Sequence, residues 1–110
     1  MTVRVSVSEV DLGRGLRDRV HRRLRFALSR FEGRIQGIRV RLVDVNGPRG
    51  GVDTRCTVQV RLRRLPTIVV EETSHDADTA VDRAVNRVAH TVARRVERAT
   101  SLRRRRQRAA

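Results

Sequence analysis

The side chains with an evident chemistry in this sequence are its arginines. All 26 basic residues of the 110-residue chain are Arg, against 12 acidic residues, which gives a formal net charge of +14. A guanidinium group forks onto two phosphate oxygens, whereas an ammonium group makes a single point contact. A charge of this size also attracts polyanions and speeds their encounter with the protein. The composition therefore indicates a nucleic-acid partner, although the exclusive use of Arg could equally reflect a GC-rich coding bias.

Basic side chains recur at helical spacing near the end of the chain. At about 100° per residue they fall on one side of a helix, about 200° from a run of valines. At a rise of about 1.5 Å per residue they form a ridge roughly 20 Å long. The valines are Val81, Val85, Val92 and Val96, and the ridge comprises Arg83, Arg87, His90, Arg94 and Arg98.

A second set of arginines, from Arg14 to Arg30, surrounds the outer side of a helix near the start of the chain. Two solvated helix faces are the ordinary explanation for such charges. Only Asp18 and Glu32 accompany this set, however, and uncompensated like charges at i,i+4 destabilise a helix. We therefore expect an external polyanion to neutralise them. The predicted binding residues are Arg17, Arg22, Arg23, Arg30, Arg83, Arg87, His90, Arg94 and Arg98.

The other polar residues indicate neither catalysis nor a cofactor. Cys56 is the only cysteine, so no disulfide or cysteine zinc site is available, and we expect its thiol to be inert in the core. No Ser or Cys lies beside a plausible His base in any nucleophile motif, so the chain is not expected to be an enzyme or to take a small-molecule substrate. The aromatic content is low, with only two phenylalanines and no Tyr or Trp, which argues against recognition of RNA by base stacking. An acidic cluster fits a helix N-terminus better than a metal site, which stays a minor alternative; it comprises Glu71, Glu72, Asp76, Asp78 and Asp82.

Alternation of apolar and polar residues predicts four strands. A period of two is typical of a half-buried strand. The first strand has Val3, Val5 and Val7 on one face, and the fourth covers residues 67–73. A hairpin loop is expected over residues 46–51, which are rich in turn formers. The inward residues of the two middle strands are Ile38, Val40 and Leu42, and Cys56, Val58, Val60 and Leu62.

Two segments have the period of a helix instead. The first is predicted over residues 12–32, with Asp11 as its N-cap and Gly33 closing it. The second begins near Asp76 and carries an apolar stripe from Ala77 to Val96. Residues 101–110 lose this periodicity and are expected to form a disordered Arg-rich tail after a single domain over residues 1–100.

The order of elements, β-α-β-β-β-α, predicts an α+β fold with two helices on one face of a four-stranded mixed sheet. The first crossover makes strands one and two parallel, and short turns make the remaining neighbours antiparallel. The chain opens without the features of a secretory signal. No apolar run approaches the roughly 18 residues that cross a bilayer, so we expect a cytoplasmic protein with no membrane partner.

With these patterns the chain resembles the ribosome hibernation promoting factors and ribosome-associated translation inhibitors, the sigma-54 modulation protein family. The matching stretches are VSEVDLGRGLRDRVHRRLRFALSRFEGRI at residues 7–35 and DADTAVDRAVNRVAHTVARR at residues 76–95. Residues of the first helix that look like the family pattern are Leu16, Arg17, Arg23 and Leu24. Those of the second are Asp76, Ala80, Val81, Asp82, Arg87 and Val88.

The resemblance implies a fold like that of double-stranded-RNA-binding domains and a place on the 30S subunit or 70S ribosome. Family members contact 16S rRNA between head and body, where mRNA and tRNA lie, and so block translation during stress or stationary phase. The chain departs from the family pattern at Asp78, where the family usually has Tyr. It looks like the short type, which lacks the C-terminal dimerisation domain of long members.

Two other functions use the same basic surfaces. One is a general double-stranded-RNA binder or RNA chaperone without preference for ribosomes. The other is an assembly factor that binds immature small subunits. The sequence does not indicate whether the protein promotes 100S ribosome dimers, or under which growth condition it is made.

Overall fold

The computed structural model describes residues 1–8, 15–45 and 53–109. Four strands form one sheet in the order β1-β2-β3-β4. The first strand pairs with the second in parallel, and the other neighbours pair antiparallel, as the sequence predicted. The elements in chain order are β1 Thr2–Ser8, α1 Leu16–Leu28, a 3-10 helix Ser29–Arg34, β2 Ile35–Asp44, β3 Thr54–Leu62, β4 Ile68–Ser74 and α2 Ala77–Ala109.

Both helices pack on one face of the sheet, because each strand presents its apolar side chains to that face. Helix α2 lies against β3 and β4, while α1 lies against β1 and alongside α2. The predicted inward residues of the two middle strands are all buried, as are four of the valines of α2. Phe31 of the 3-10 helix closes the core next to Leu28 and Ile35. The predicted α+β fold is confirmed.

The first helix is shorter than the predicted span of 12–32. It starts at Leu16 after Gly15, whose φ of 95° is open to glycine without strain. It ends at Leu28, and the chain tightens into a 3-10 helix that contains Gly33, so Gly33 does not close α1. Such tightening is common where an α-helix ends. The expected N-cap Asp11 and the loop 46–51 lie outside the described residues.

The second helix is longer than expected. The structure continues α2 to Ala109, where a disordered tail was expected from residue 101. That expectation was based on the loss of apolar periodicity. The periodicity of apolar residues indicates which side of a helix is buried, and its loss does not mean that the helix ends. Residues 97–109 contain Arg, Leu, Gln and Ala, which are good helix formers, and neither Gly nor Pro. At about 1.5 Å per residue, α2 spans roughly 50 Å, which accounts for most of the 62 Å long axis.

Candidate nucleic-acid interface

The basic ridge of α2 lies on the exposed side of the helix, opposite the buried valines. Its five side chains rise from an element held rigid by Val81, Val85, Val88 and Val92, all of which are in the core. Burial of this stripe against β3 and β4 fixes the direction in which the ridge faces. The residues of the ridge, all exposed, are Arg83, Arg87, His90, Arg94 and Arg98.

The second half of the ridge surrounds a shallow depression of about 210 Å³. Arg94, Arg95 and Arg98 line it, together with Thr91, whose hydroxyl donates a hydrogen bond to the carbonyl oxygen of Arg87 at 2.9 Å. Three guanidinium groups around one concave surface are suited to binding a phosphate by charge-assisted hydrogen bonds. No ion pair joins Arg94 or Arg98 to an acid within the part of the chain that the structure describes.

Arg87 differs from its neighbours on the ridge because it leans toward the sheet. Its Nη1 donates to the carbonyl oxygen of Glu71 at 3.4 Å and lies 3.5 Å from Oε1 of Glu72. The guanidinium keeps most of its surface exposed, so it can still meet a ligand. Its orientation is set by β4 rather than by α2 alone.

The predicted residues of α1 fall into two groups. Arg17 and Arg22 are exposed and have no ion pair among the described residues. Arg23 forms an ion pair with Asp82 of α2, and Arg30 lies 3.8 Å from Glu97. Arg30 also stacks over the ring of Phe31, with 4.5 Å from Cζ to the ring centroid.

These pairs correct the expectation that the first set of arginines lacks compensating acids. The acids come from α2, so spacing along α1 could not reveal them. A third pair, from Arg19 to Asp78 at 3.2 Å, stands beside that of Arg23 and Asp82, one turn apart on both helices. Asp78 is the residue at which the chain departs from the family pattern. The ion pair with Arg19 gives its carboxylate a partner within the protein.

The acidic cluster separates into individual roles. Asp76 accepts hydrogen bonds from the backbone N–H of Asp78 at 3.0 Å and from the hydroxyl of Thr79 at 3.2 Å, which caps the start of α2. Glu72 meets Arg87, and Glu71 accepts a bond from Thr57. No group of three or more His, Cys, Asp or Glu within residues 1–8, 15–45 and 53–109 is arranged to hold a metal ion.

A protein-family model matches most of the chain. The model of the sigma-54 modulation protein / S30EA ribosomal protein family matches residues 3–100. The chain belongs to this family. The resemblance drawn from the two helices is thereby confirmed, and the family is one of ribosome-associated proteins.

Solved structures similar to this S30EA family member have the same fold. The N-terminal domain of Protein Y from Thermus thermophilus is 26% identical, with a TM-score of 0.66 over 84% of this chain and 93% of that domain. A ribosomal subunit interface protein from Coxiella burnetii is 18% identical, with a TM-score of 0.68 over 86% and 96% of the two chains. No curated protein sequence matches the chain significantly.

The open face of the sheet in this S30EA protein carries arginines that the sequence analysis did not include in the site. Arg4 stands directly opposite Arg39 in the parallel pairing of β1 and β2, and like charges in that position repel. Arg61 lies over Gly37, where a Cβ would come within 2.5 Å of its Nη2. The signal was present as the alternation of Arg with inward residues. The exposed arginines of this face are Arg4, Arg39, Arg41, Arg55 and Arg61.

One aromatic ring was also missed. Phe26 is 88% exposed on the outer side of α1, one helical turn after Arg22. The low aromatic content argued against base stacking, yet this ring is free for such a contact. No described helix is long and apolar enough to span a membrane.

Proposed function

We propose that the protein binds the 30S subunit, free or within the 70S ribosome, through 16S rRNA and blocks the channel for mRNA and tRNA. Such binding inhibits translation in the cytoplasm during stress or stationary phase. The observation that carries the proposal is the exposed ridge on α2, whose Arg83, Arg94 and Arg98 have no ion pair among the described residues. Membership of a ribosome-associated family supports the choice of RNA.

The ridge suits occlusion because it is rigid. Contacts to phosphate fix the position and orientation of a protein without reading base sequence. Three arginines held by a helix that is itself packed on a sheet can therefore select a shape in folded rRNA. Inhibition by occlusion needs only tight and correctly placed binding, with no catalytic group.

The test compares two triple variants with equal changes in charge. Arg83→Glu, Arg94→Glu and Arg98→Glu alter the ridge, whereas Arg104→Glu, Arg105→Glu and Arg108→Glu alter the projecting end of α2. Each triple lowers the formal net charge from +14 to +8, since each replacement changes it by two. We expect the ridge variant to lose co-sedimentation with 30S subunits and inhibition of in vitro translation, while the other triple retains most of both.

Equal losses in the two triples, with unchanged circular dichroism, would support a general double-stranded-RNA binder instead. Co-sedimentation with particles that contain precursor 16S rRNA, and not with mature subunits, would support an assembly factor.

Subunit binding should also weaken steeply with salt. With six or more phosphate contacts, the slope of log K against log salt is expected to be steeper than about −4.

A further inference from the structure

A cleft separates the projecting end of α2 from the turn between β3 and β4. Its volume is about 460 Å³, and it is open along one side. It lies apart from the ridge, and two of its arginines follow the segment that matches the family model, which ends at residue 100. Its lining comprises Arg34, Arg64, Leu65, Ala99, Thr100, Leu102, Arg103 and Arg106.

Three elements place the four arginines of this cleft. The backbone N–H of Arg63 donates to the carbonyl oxygen of Arg34 at 2.8 Å, which holds the end of the 3-10 helix against the β3–β4 turn. Arg103 and Arg106 are three residues apart on α2 and therefore face the same side. The cleft thus depends on the continuation of α2 as a helix past residue 100.

Within residues 1–8, 15–45 and 53–109, no ion pair balances the charges around the cleft. Its lining contains no acidic residue. Glu97 is the last acid of α2, and its carboxylate lies at Arg30. The Nε of Arg34 is buried and has no hydrogen-bond partner in the part of the chain that the structure describes. A buried donor of a charged group without a partner is costly, and four like charges around one concavity repel each other.

The backbone at Arg64 adds a second sign of function. Its φ is 61°, and it is the one non-glycine residue with positive φ in the described chain. This conformation is strained for a residue with a Cβ, and Gly or Asn is the usual occupant. An arginine at a strained position that borders a basic cleft is consistent with selection for its guanidinium.

We propose that this cleft binds phosphate groups of an RNA backbone. Phosphate supplies the oxygen acceptors and negative charge that four guanidinium groups lack, and each can bind it through two N–H donors. RNA is favoured over a small phosphate compound because the cleft is open along one side and its four arginines come from three separate elements, which suits several phosphates of one backbone better than a single phosphate group. The identity of the RNA as rRNA rests on the proposed function.

The experiment uses the full chain and two double variants with equal charge. Arg103→Gln with Arg106→Gln alters the cleft, whereas Arg104→Gln with Arg108→Gln alters arginines of the same helix that do not line it. We expect the cleft pair to weaken binding to 30S subunits about tenfold and to make the salt slope shallower by about 1.4–1.8. The control pair should change affinity less than about twofold. Arg64→Gln, which leaves α2 untouched, should also weaken binding.

Equal effects of the two pairs, with helicity retained, would overturn the cleft proposal. If the wild-type protein fails to bind subunits, the proposed function fails, and the same pairs compared on protein-free 16S rRNA still decide on the cleft. Titration with sodium tripolyphosphate separates the two sources of phosphate. If the cleft pair abolishes tripolyphosphate binding but leaves RNA binding unchanged, the ligand is a small phosphate compound, and the assignment to RNA is wrong.

Discussion

Raising the pH above about 9 should destabilise the protein through a single side chain, Cys56. The residue is the third of β3 and is fully buried among apolar side chains. Burial raises the pKa of the Cys56 thiol from 9.0 to about 12, because the thiolate loses its hydration in the core. The unfolded chain therefore releases this proton at a lower pH than the folded protein does.

The sign and size of the effect follow from this difference. Below pH 9 both states hold the proton, and stability does not depend on it. Between pH 9 and 12 only the folded state holds it, so the free energy of unfolding falls by about 1.4 kcal/mol per pH unit. Relative to neutral pH, the loss is about 1.4 kcal/mol at pH 10 and about 2.7 kcal/mol at pH 11.

The composition leaves few other side chains that titrate in this pH range. The chain has no Lys and no Tyr, and Arg keeps its charge to above about pH 12. Urea unfolding followed by circular dichroism at 222 nm, at pH 8, 9, 10 and 11, measures the free energy of unfolding. Cys56→Ala serves as the control: it is less stable at pH 8 because it leaves a cavity, but its stability should not fall at pH 10 and 11. An equal decline in both proteins would refute the assignment to Cys56.

Four further variants test individual features of the structure. Thr54 has a buried hydroxyl without a hydrogen-bond partner among the described residues, so Thr54→Val should raise the free energy of unfolding by about 1 kcal/mol. Cys56→Ser adds such a hydroxyl and should lower the free energy of unfolding by about 1–3 kcal/mol; urea unfolding measures both effects. Asp78→Asn with Asp82→Asn should cost less than about 1 kcal/mol per half-exposed ion pair and tighten RNA binding, measured by filter retention. Arg64→Gly should relieve the positive φ and raise the melting temperature while weakening subunit binding; a lower melting temperature would contradict the strain at this residue.

The sheet could be predicted from the sequence because each strand has one buried face and one open face. Period-two alternation then records burial directly, as in β3, where Cys56, Val58, Val60 and Leu62 are all in the core. The parallel pairing of β1 and β2 followed from the helix between them. The ridge of α2 was equally predictable, because about three turns of buried valine, from Val81 to Val92, fix the opposite side of the helix. That these ridge residues bind rRNA stays a prediction.

The ends of the helices and the contacts between elements could not be predicted in the same way. Apolar periodicity stops where burial stops, near Val96, but intrinsic helix propensity carries α2 to Ala109. The ion pairs of α1 join residues 59 positions apart, so no local spacing encodes them. The cleft depends on both features, since it needs a helical tail beside a turn that is distant in sequence.

The ion pairs between the helices also explain where the uncompensated charge lies. Asp78 and Asp82 face α1 and neutralise Arg19 and Arg23 at the junction of the two helices. The acids of α2 that pair with arginines therefore form contacts within the protein, and these contacts hold α1 and α2 in a fixed relation. The arginines that remain exposed belong to surfaces whose geometry the same contacts fix. A net charge of +14 spread over a flexible chain attracts any polyanion, but fixed on rigid helices it can select one arrangement of phosphates.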